Sequence, residues 1–266
     1  MEDNALFKMP TIDLSAKSLL TLSQLGIFAV FAYWAVEGGV EDNIDYLFLV
    51  MMVSAGLALF LSVPNARMGV TLGIPTLMVV VGMVMGESEM MFWAVFMLLM
   101  IGPIAYMPAM ATGDPTLGLD DETRLQRLGF IWIVFALFMM IMMSGLADMA
   151  TEGELTEQGN DGDEFTMVLD SNQQTIAQGG LSVGVIGVLV FLLTAVMGKE
   201  VGPMRPWHGG VMAAVALLIS EYLWIVAEGA PAEGPVEYFM ILCFIGLVAL
   251  TPCVAYEGSS DSSEAE

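Results

Sequence analysis

The chain is short of most of what soluble catalysis and metal binding draw on. Among 266 residues there are seven Lys and Arg together, one His and two Cys. Charged residues make up 14% and apolar residues 57%, a balance that excludes an ordinary soluble domain. The two cysteines, Cys243 and Cys253, lie on one apolar segment. A helix holds them about 15 Å apart, whereas a disulfide spans roughly 6 Å between Cα atoms, so they do not pair with each other. With a single histidine besides, haem, iron–sulfur and structural zinc sites are disfavoured, and no cofactor is expected. Methionine is abundant instead, at 24 residues, most densely in "FMMIMMSG" (138–145). Isolated thioethers without His or Cys neighbours make poor metal sites, so these side chains read as adaptable filler between helices.

What is present is a series of long apolar runs. A bilayer core needs about 20 largely apolar residues per helix. Eight segments meet or approach that length, at about 18–36, 46–63, 68–86, 90–111, 128–147, 179–197, 208–227 and 237–256. The expected fold is therefore an all-α integral membrane protein, a polytopic bundle of eight transmembrane helices. "PNAR" (64–67) forms the tight reversal between spans 2 and 3, with Pro64 ending one helix and Asn65 suiting the turn. With eight crossings, Lys8, Lys17, Arg67, Arg124, Arg127, Lys199 and Arg205 all fall on one side. Basic residues favour the cytoplasmic side, which puts both termini in the cytoplasm and the protein in the cell membrane. The layout is a cytoplasmic N-terminal segment 1–17, one transmembrane domain 18–256, an acidic extracytoplasmic loop 148–178 and a disordered acidic tail 257–266. Span 1 is expected to stay as a signal anchor, because bulky Tyr33 stands where a cleavage site needs a small residue.

Acidic residues follow the opposite rule. Seventeen of the thirty fall on the outer side of this topology. Such a surface suits solvation in a salty habitat and keeps cations out of the outer loops; steering of cations to a pore mouth is the sharper reading of it. Weak echoes link span n with span n plus four. "LSQLG" (22–26) resembles "LQRLG" (125–129), "GLALFL" (56–61) resembles "GVLVFL" (187–192), and "PIAY" (103–106) resembles "PCVAY" (252–256). Four spans per half is even, so a duplication into halves 18–111 and 124–256 would be parallel. Gly69, Gly73, Gly82 and Gly86 in span 3, and Gly180 and Gly184 in span 6, have the spacing of close helix packing and place both spans centrally.

Several motifs fail on topology or spacing. "GLSVG" (180–184) matches a nucleophile elbow, but Ser182 and the sole His208 start their helices at opposite faces of the membrane. "QGNDGDEF" (158–165) places Gly159 at a calcium-ligand position and Val168 where the bidentate Glu belongs. "LDDETR" (119–124) is a single acidic cluster, explained by Asp120 or Asp121 capping span 5. "PWHGG" (206–210) is an interfacial belt signature. No reachable catalytic constellation emerges, so an enzyme is not expected.

One acid lies within a span, Glu221 in "LLISEYLWIV" (217–226). It shares a helix face with Ala214, Gly210 and Glu228 and should face the bundle interior. No Lys or Arg falls in a span to pair with it. That leaves a neutral acid, a hydrated carboxylate or one neutralised by a cation. Ser144, Tyr33 and Tyr222 lie at comparable depth as hydrogen-bond partners. The candidate proton or cation site is thus Glu221, Glu228, Tyr222 and Ser144, in a transporter of small solutes or ions. The competing expectation is a non-catalytic scaffold or assembly subunit whose Gly- and Met-rich faces bind partner helices. Expected partners are the bilayer, a small solute or cation, and a second copy or another membrane subunit; nucleic acid is not among them.

Overall fold

The computed structural model describes residues 10, 12–37, 43–86, 88–158, 164–196, 202–231 and 234–257. Most of the tail expected over 257–266 and most of the N-terminal segment lie outside the described residues. So do Lys8, Lys199 and residues 159–163 of the acidic loop. Among the described residues seven helices are long and apolar enough to cross a bilayer, and an eighth apolar helix is shorter, with its apolar part at Tyr46–Phe60. The chain divides into two compact units, Met1–Asp120 and Asp121–Glu266.

Unit 1 contains α1 (Ala16–Glu37), α2 (Asn43–Phe60), α3 (Ala66–Met85) and α4 (Ser88–Ala111). Helix α1 packs along α2 and α3 along α4. The α1–α2 contact is close, because a Cβ on Gly56 would stand 2.9 Å from Phe28 Cβ. The reversal between α2 and α3 uses Asn65 as expected, in the left-handed region at φ 59° immediately before α3. But α2 ends at Phe60, ahead of Pro64, with Ser62 also left-handed at φ 51°, and Ala66 and Arg67 already belong to α3. Proline interrupts α3 at Pro75 and α4 at Pro103 and Pro108. Each proline removes one backbone donor and leaves the carbonyl four residues earlier without its helical partner. For Pro108 that carbonyl is Ile104 O, and the buried side chain of Gln24, on α1, donates to it at 2.7 Å.

Unit 2 contains α5 (Asp121–Met142), the short α6 (Leu146–Glu152), the hairpin β1 (Glu154–Gln158) and β2 (Glu164–Val168), α7 (Ser171–Phe191), α8 (Pro206–Val226) and α9 (Pro235–Glu257). Helix α8 is its centre, packed on α7 and on α9. Glycine makes this possible: a Cβ on Gly209 would stand 2.6 Å from Gly187 O, and one on Gly180 2.7 Å from Ile219 Cγ2. The close packing expected of Gly180 and Gly184 is therefore present. Helix α7 opens on a full capping box, Asp170 with Gln173, and ends in a π-helical turn at Leu192–Val196. The Pro252 interruption of α9 repeats the device seen in unit 1. It frees Val248 O, and Trp132 Nε1 of α5 donates to that oxygen at 2.8 Å. Trp132 also stacks on Phe191, with ring centroids 4.3 Å apart.

Two expectations need correction. Gly69 and Gly73 do not sit in a packed helix contact: nothing comes within 4 Å of a Cβ built on either. The face of α3 that packs is the one carrying Val70, Ile74 and Met78, so the glycines fall on its open side. The acidic segment 148–178 is also not a plain loop. It folds as α6, the antiparallel hairpin with Thr156 opposite Thr166, and the start of α7. Gly153, at φ 75°, closes α6 in the left-handed conformation that leads into β1. The hairpin is fastened to the end of α8, where Val168 and Glu228 exchange backbone hydrogen bonds at 2.9 and 3.2 Å and Phe165 meets Trp224 edge to face.

Candidate functional site

The four residues singled out by sequence do not converge. Glu221 is half-buried on α8. It shares a helix face with Gly210, which abuts Pro252, Val248 and Ala249 of α9, so helical periodicity turns Glu221 toward α9. Its neighbour Tyr222 is 48% exposed and lies on another face. Glu228 is exposed beyond the end of α8, its backbone committed to the hairpin. Ser144 is 1% exposed and committed locally: its hydroxyl donates to Met140 O at 2.8 Å and accepts from Leu146 N at 3.1 Å. Tyr33 donates to Glu37 Oε1 at 3.1 Å. Ser182 donates to Gln178 O at 2.7 Å, and His208 Nδ1 accepts from Arg205 N at 2.8 Å, both within one or two helical turns.

A cavity lies elsewhere, wholly within unit 1. It has a volume of about 840 Å³ and lies between α1, the α2–α3 turn and the end of α4. That size falls in the usual range for small-molecule sites. A polar stripe on α1 descends one wall: Lys17, Ser18, Thr21 and Gln24, spaced to share one helix face. The opposite wall carries Arg67 and Asp114, which form a salt bridge supported by Thr116. Gln24 lies eight residues inside α1, about 12 Å from its start. It forms the floor, 6% exposed, with Nε2 on Ile104 O and a longer contact to Ala105 O at 3.5 Å.

At the mouth, hydrogen bonds from the Ser15 hydroxyl, the Ser18 hydroxyl and the Ser15 backbone hold the Asp13 carboxyl down at about 2. Burial works to raise the Asp114 carboxyl, but Thr116 and then Arg67 outweigh it and keep that carboxyl below its ordinary value. Both acids are therefore ionised at neutral pH. In unit 2 the hairpin holds an opposite case. Burial, and then the nearby Asp148, push the Glu157 carboxyl up.

Sequence reasoning missed Gln24 as a site residue, although a signal was present. A glutamine seven residues after Lys17, inside an apolar helix, needs a buried partner. A mid-helix proline elsewhere supplies a carbonyl that needs a donor. Neither feature names the other until the fold brings Gln24 to Ile104. No cluster of His, Cys, Asp and Glu able to hold a metal occurs among the described residues.

Among the described residues, seven helices long and apolar enough to cross a bilayer, with a shorter eighth, are those of a multi-pass helical membrane protein. No family model, curated protein or solved structure matches the chain.

Proposed function

We propose that the chain is a small-solute transporter, with the unit 1 cavity as its solute site and Glu221 as its proton- or cation-binding group. The observation that carries this reading is the cavity itself. It runs from the end of unit 1 that bears Lys17 and Arg67 down to Gln24, and one wall is the proline-interrupted end of α4. Polar sites beside broken helices are how transporters hold solutes at membrane depth, because irregular backbone is tolerated there only where it is buried or lines a cavity. The basic side is cytoplasmic in this reading, with both termini on it.

Alternating access is the property that separates a transporter from a protein that merely contains a cavity. In a background of Cys243→Ala and Cys253→Ala, Thr21→Cys places one thiol on the cavity wall. A membrane-impermeant maleimide is expected to label it from either face of sealed vesicles. Labelling from the basic face alone would overturn the transporter reading. It would favour the second reading, an assembly subunit, which rests on the open Gly69–Gly73 face of α3. Glu221→Gln is expected to remove pH- or cation-dependent uptake while folded protein remains in the membrane.

A further inference from the structure

The cavity of unit 1 has a charge pattern that specifies more than polarity. Among the described residues its ionisable lining is Lys17, Arg67, Asp13 and Asp114, two cations and two anions, so an ion of either sign meets no net complementary charge from them. Arg67 is committed to Asp114, and Asp13 accepts from the Ser15 hydroxyl and, at 2.9 Å, from the Ser15 backbone. Lys17 forms no ion pair among the described residues. At the floor, the two carbonyls within reach of Gln24 fix which end of its amide is nitrogen. Its Oε1 has no hydrogen-bond partner among the described residues. A 94% buried side chain thus keeps an acceptor unfilled where it borders the cavity.

Lys17 and Gln24 stand on one face of α1, about 10 Å apart along the axis. Side chains on a helix lean toward its N-terminus, so the Gln24 side chain leans from the floor toward the mouth, with Thr21 one turn nearer the mouth, while the exposed Lys17 keeps its ammonium at the mouth.

We propose that this cavity binds a small free zwitterion of the amino-acid type, its acidic group toward Lys17 and its ammonium toward Gln24 Oε1. This rests on the transporter reading and names its substrate class. A solute of zero net charge suits a lining of zero net charge, and holding both ends offsets the desolvation that each ion would otherwise suffer. Gln24 adds a mechanical consequence. The same amide that meets the solute supports the backbone at the Pro108 break in α4, so occupancy bears directly on that bend.

The test uses the full chain carrying Thr21→Cys in the cysteine-free background, in phosphatidylglycerol vesicles. The rate of maleimide labelling is measured with L-alanine, propionate or ethylamine present; the last two each lack one of the zwitterion's charges. Alanine at about ten times a millimolar Kd is expected to slow labelling about tenfold, and propionate or ethylamine less than about twofold. Lys17→Gln, at an exposed position, is expected to abolish the protection by alanine, read as the ratio of labelling rates with and without alanine in the same variant. Protection by propionate equal to that by alanine would overturn the proposal in favour of an anion site. Protection by phosphatidylethanolamine in the vesicle, without alanine, would overturn it in favour of a lipid headgroup. If labelling proceeds from both faces and none of the three solutes slows it, the zwitterion assignment fails while the transporter reading stands.

Discussion

Gln24 and Trp132 perform the same task on different helices, each giving a side-chain N–H to a carbonyl freed by a proline. Removing such a donor strands a buried acceptor, which costs about 1–3 kcal/mol. Gln24→Leu should therefore lower the melting temperature of the detergent-solubilised protein. In a Pro108→Ala background the helical N–H returns to Ile104 O, so the same substitution should do much less harm. A double-mutant cycle checks this, and additivity of the two changes would contradict the pairing. The acids make a pH prediction. Folded-state pKa values of Asp13 and Asp114 lie below the ordinary 3.8, so their stabilisation is complete above that value and is lost as pH falls through the depressed range toward about 2. Thermal unfolding should be nearly flat from about pH 8 to pH 5 as far as these two groups decide it, then decline in acid, less steeply in Asp114→Asn. Glu157 has the opposite sign: its raised pKa makes ionisation unfavourable in the folded hairpin. Glu157→Gln should stabilise unit 2 at neutral pH by about 0.5 kcal/mol or less, because the site is partly screened by water. At this scale the helices long and apolar enough to cross a bilayer also carry acids near their ends, such as Asp121, Glu122 and Glu237, and the sequence singled out Glu221, half-buried on α8. Its surroundings were not legible, because Ser144 turned out to serve its own turn and Tyr222 points elsewhere.

Among elements, the glycine-bearing helices show where sequence patterning succeeds and where it stops. The four-residue spacing occurs in both α3 and α7, yet only α7 uses it for a close helix contact. Spacing shows that a backbone can be approached and leaves open whether a neighbour does so. The substitution Gly209→Ala puts a methyl within 2.8 Å of the Phe191 nitrogen and 2.6 Å of Gly187 O. It should destabilise by about 3 kcal/mol or more, since backbone cannot move aside as a flexible side chain can. Gly73→Ala meets nothing and should be neutral or stabilising by about 0.5–1 kcal/mol through helix propensity alone. Melting curves of the two variants check the contrast. The left-handed Asn65 of the α2–α3 turn was readable from "PNAR" because Asn tolerates that conformation, whereas the end of α2 at Phe60, with Ser62 left-handed, was not. The hairpin at 154–168 was not, since its strands are five residues each and packing on α8 holds them in place.

For the whole molecule, length and apolarity made the eight helices legible, since a bilayer sets a length that composition alone can meet. The two units do not repeat one pairing pattern. Helix α1 packs tightly on α2, whereas α5, the first span of unit 2, touches α7 less and α8 joins α7 to α9. What the units share is the donor from the first helix to the proline-freed carbonyl of the last. In the proposed transporter the cavity above Gln24 opens in turn to each face of the bilayer. The most direct test measures maleimide labelling from each face at three single cysteines in the cysteine-free background: Ser62→Cys in the α2–α3 turn, Thr156→Cys in the hairpin and Thr21→Cys in the cavity. Ser62→Cys is expected to be labelled only from the basic face, Thr156→Cys only from the acidic face, and Thr21→Cys from both. Labelling of Thr21→Cys from the basic face alone, with the two controls sided as expected, would contradict the transporter reading.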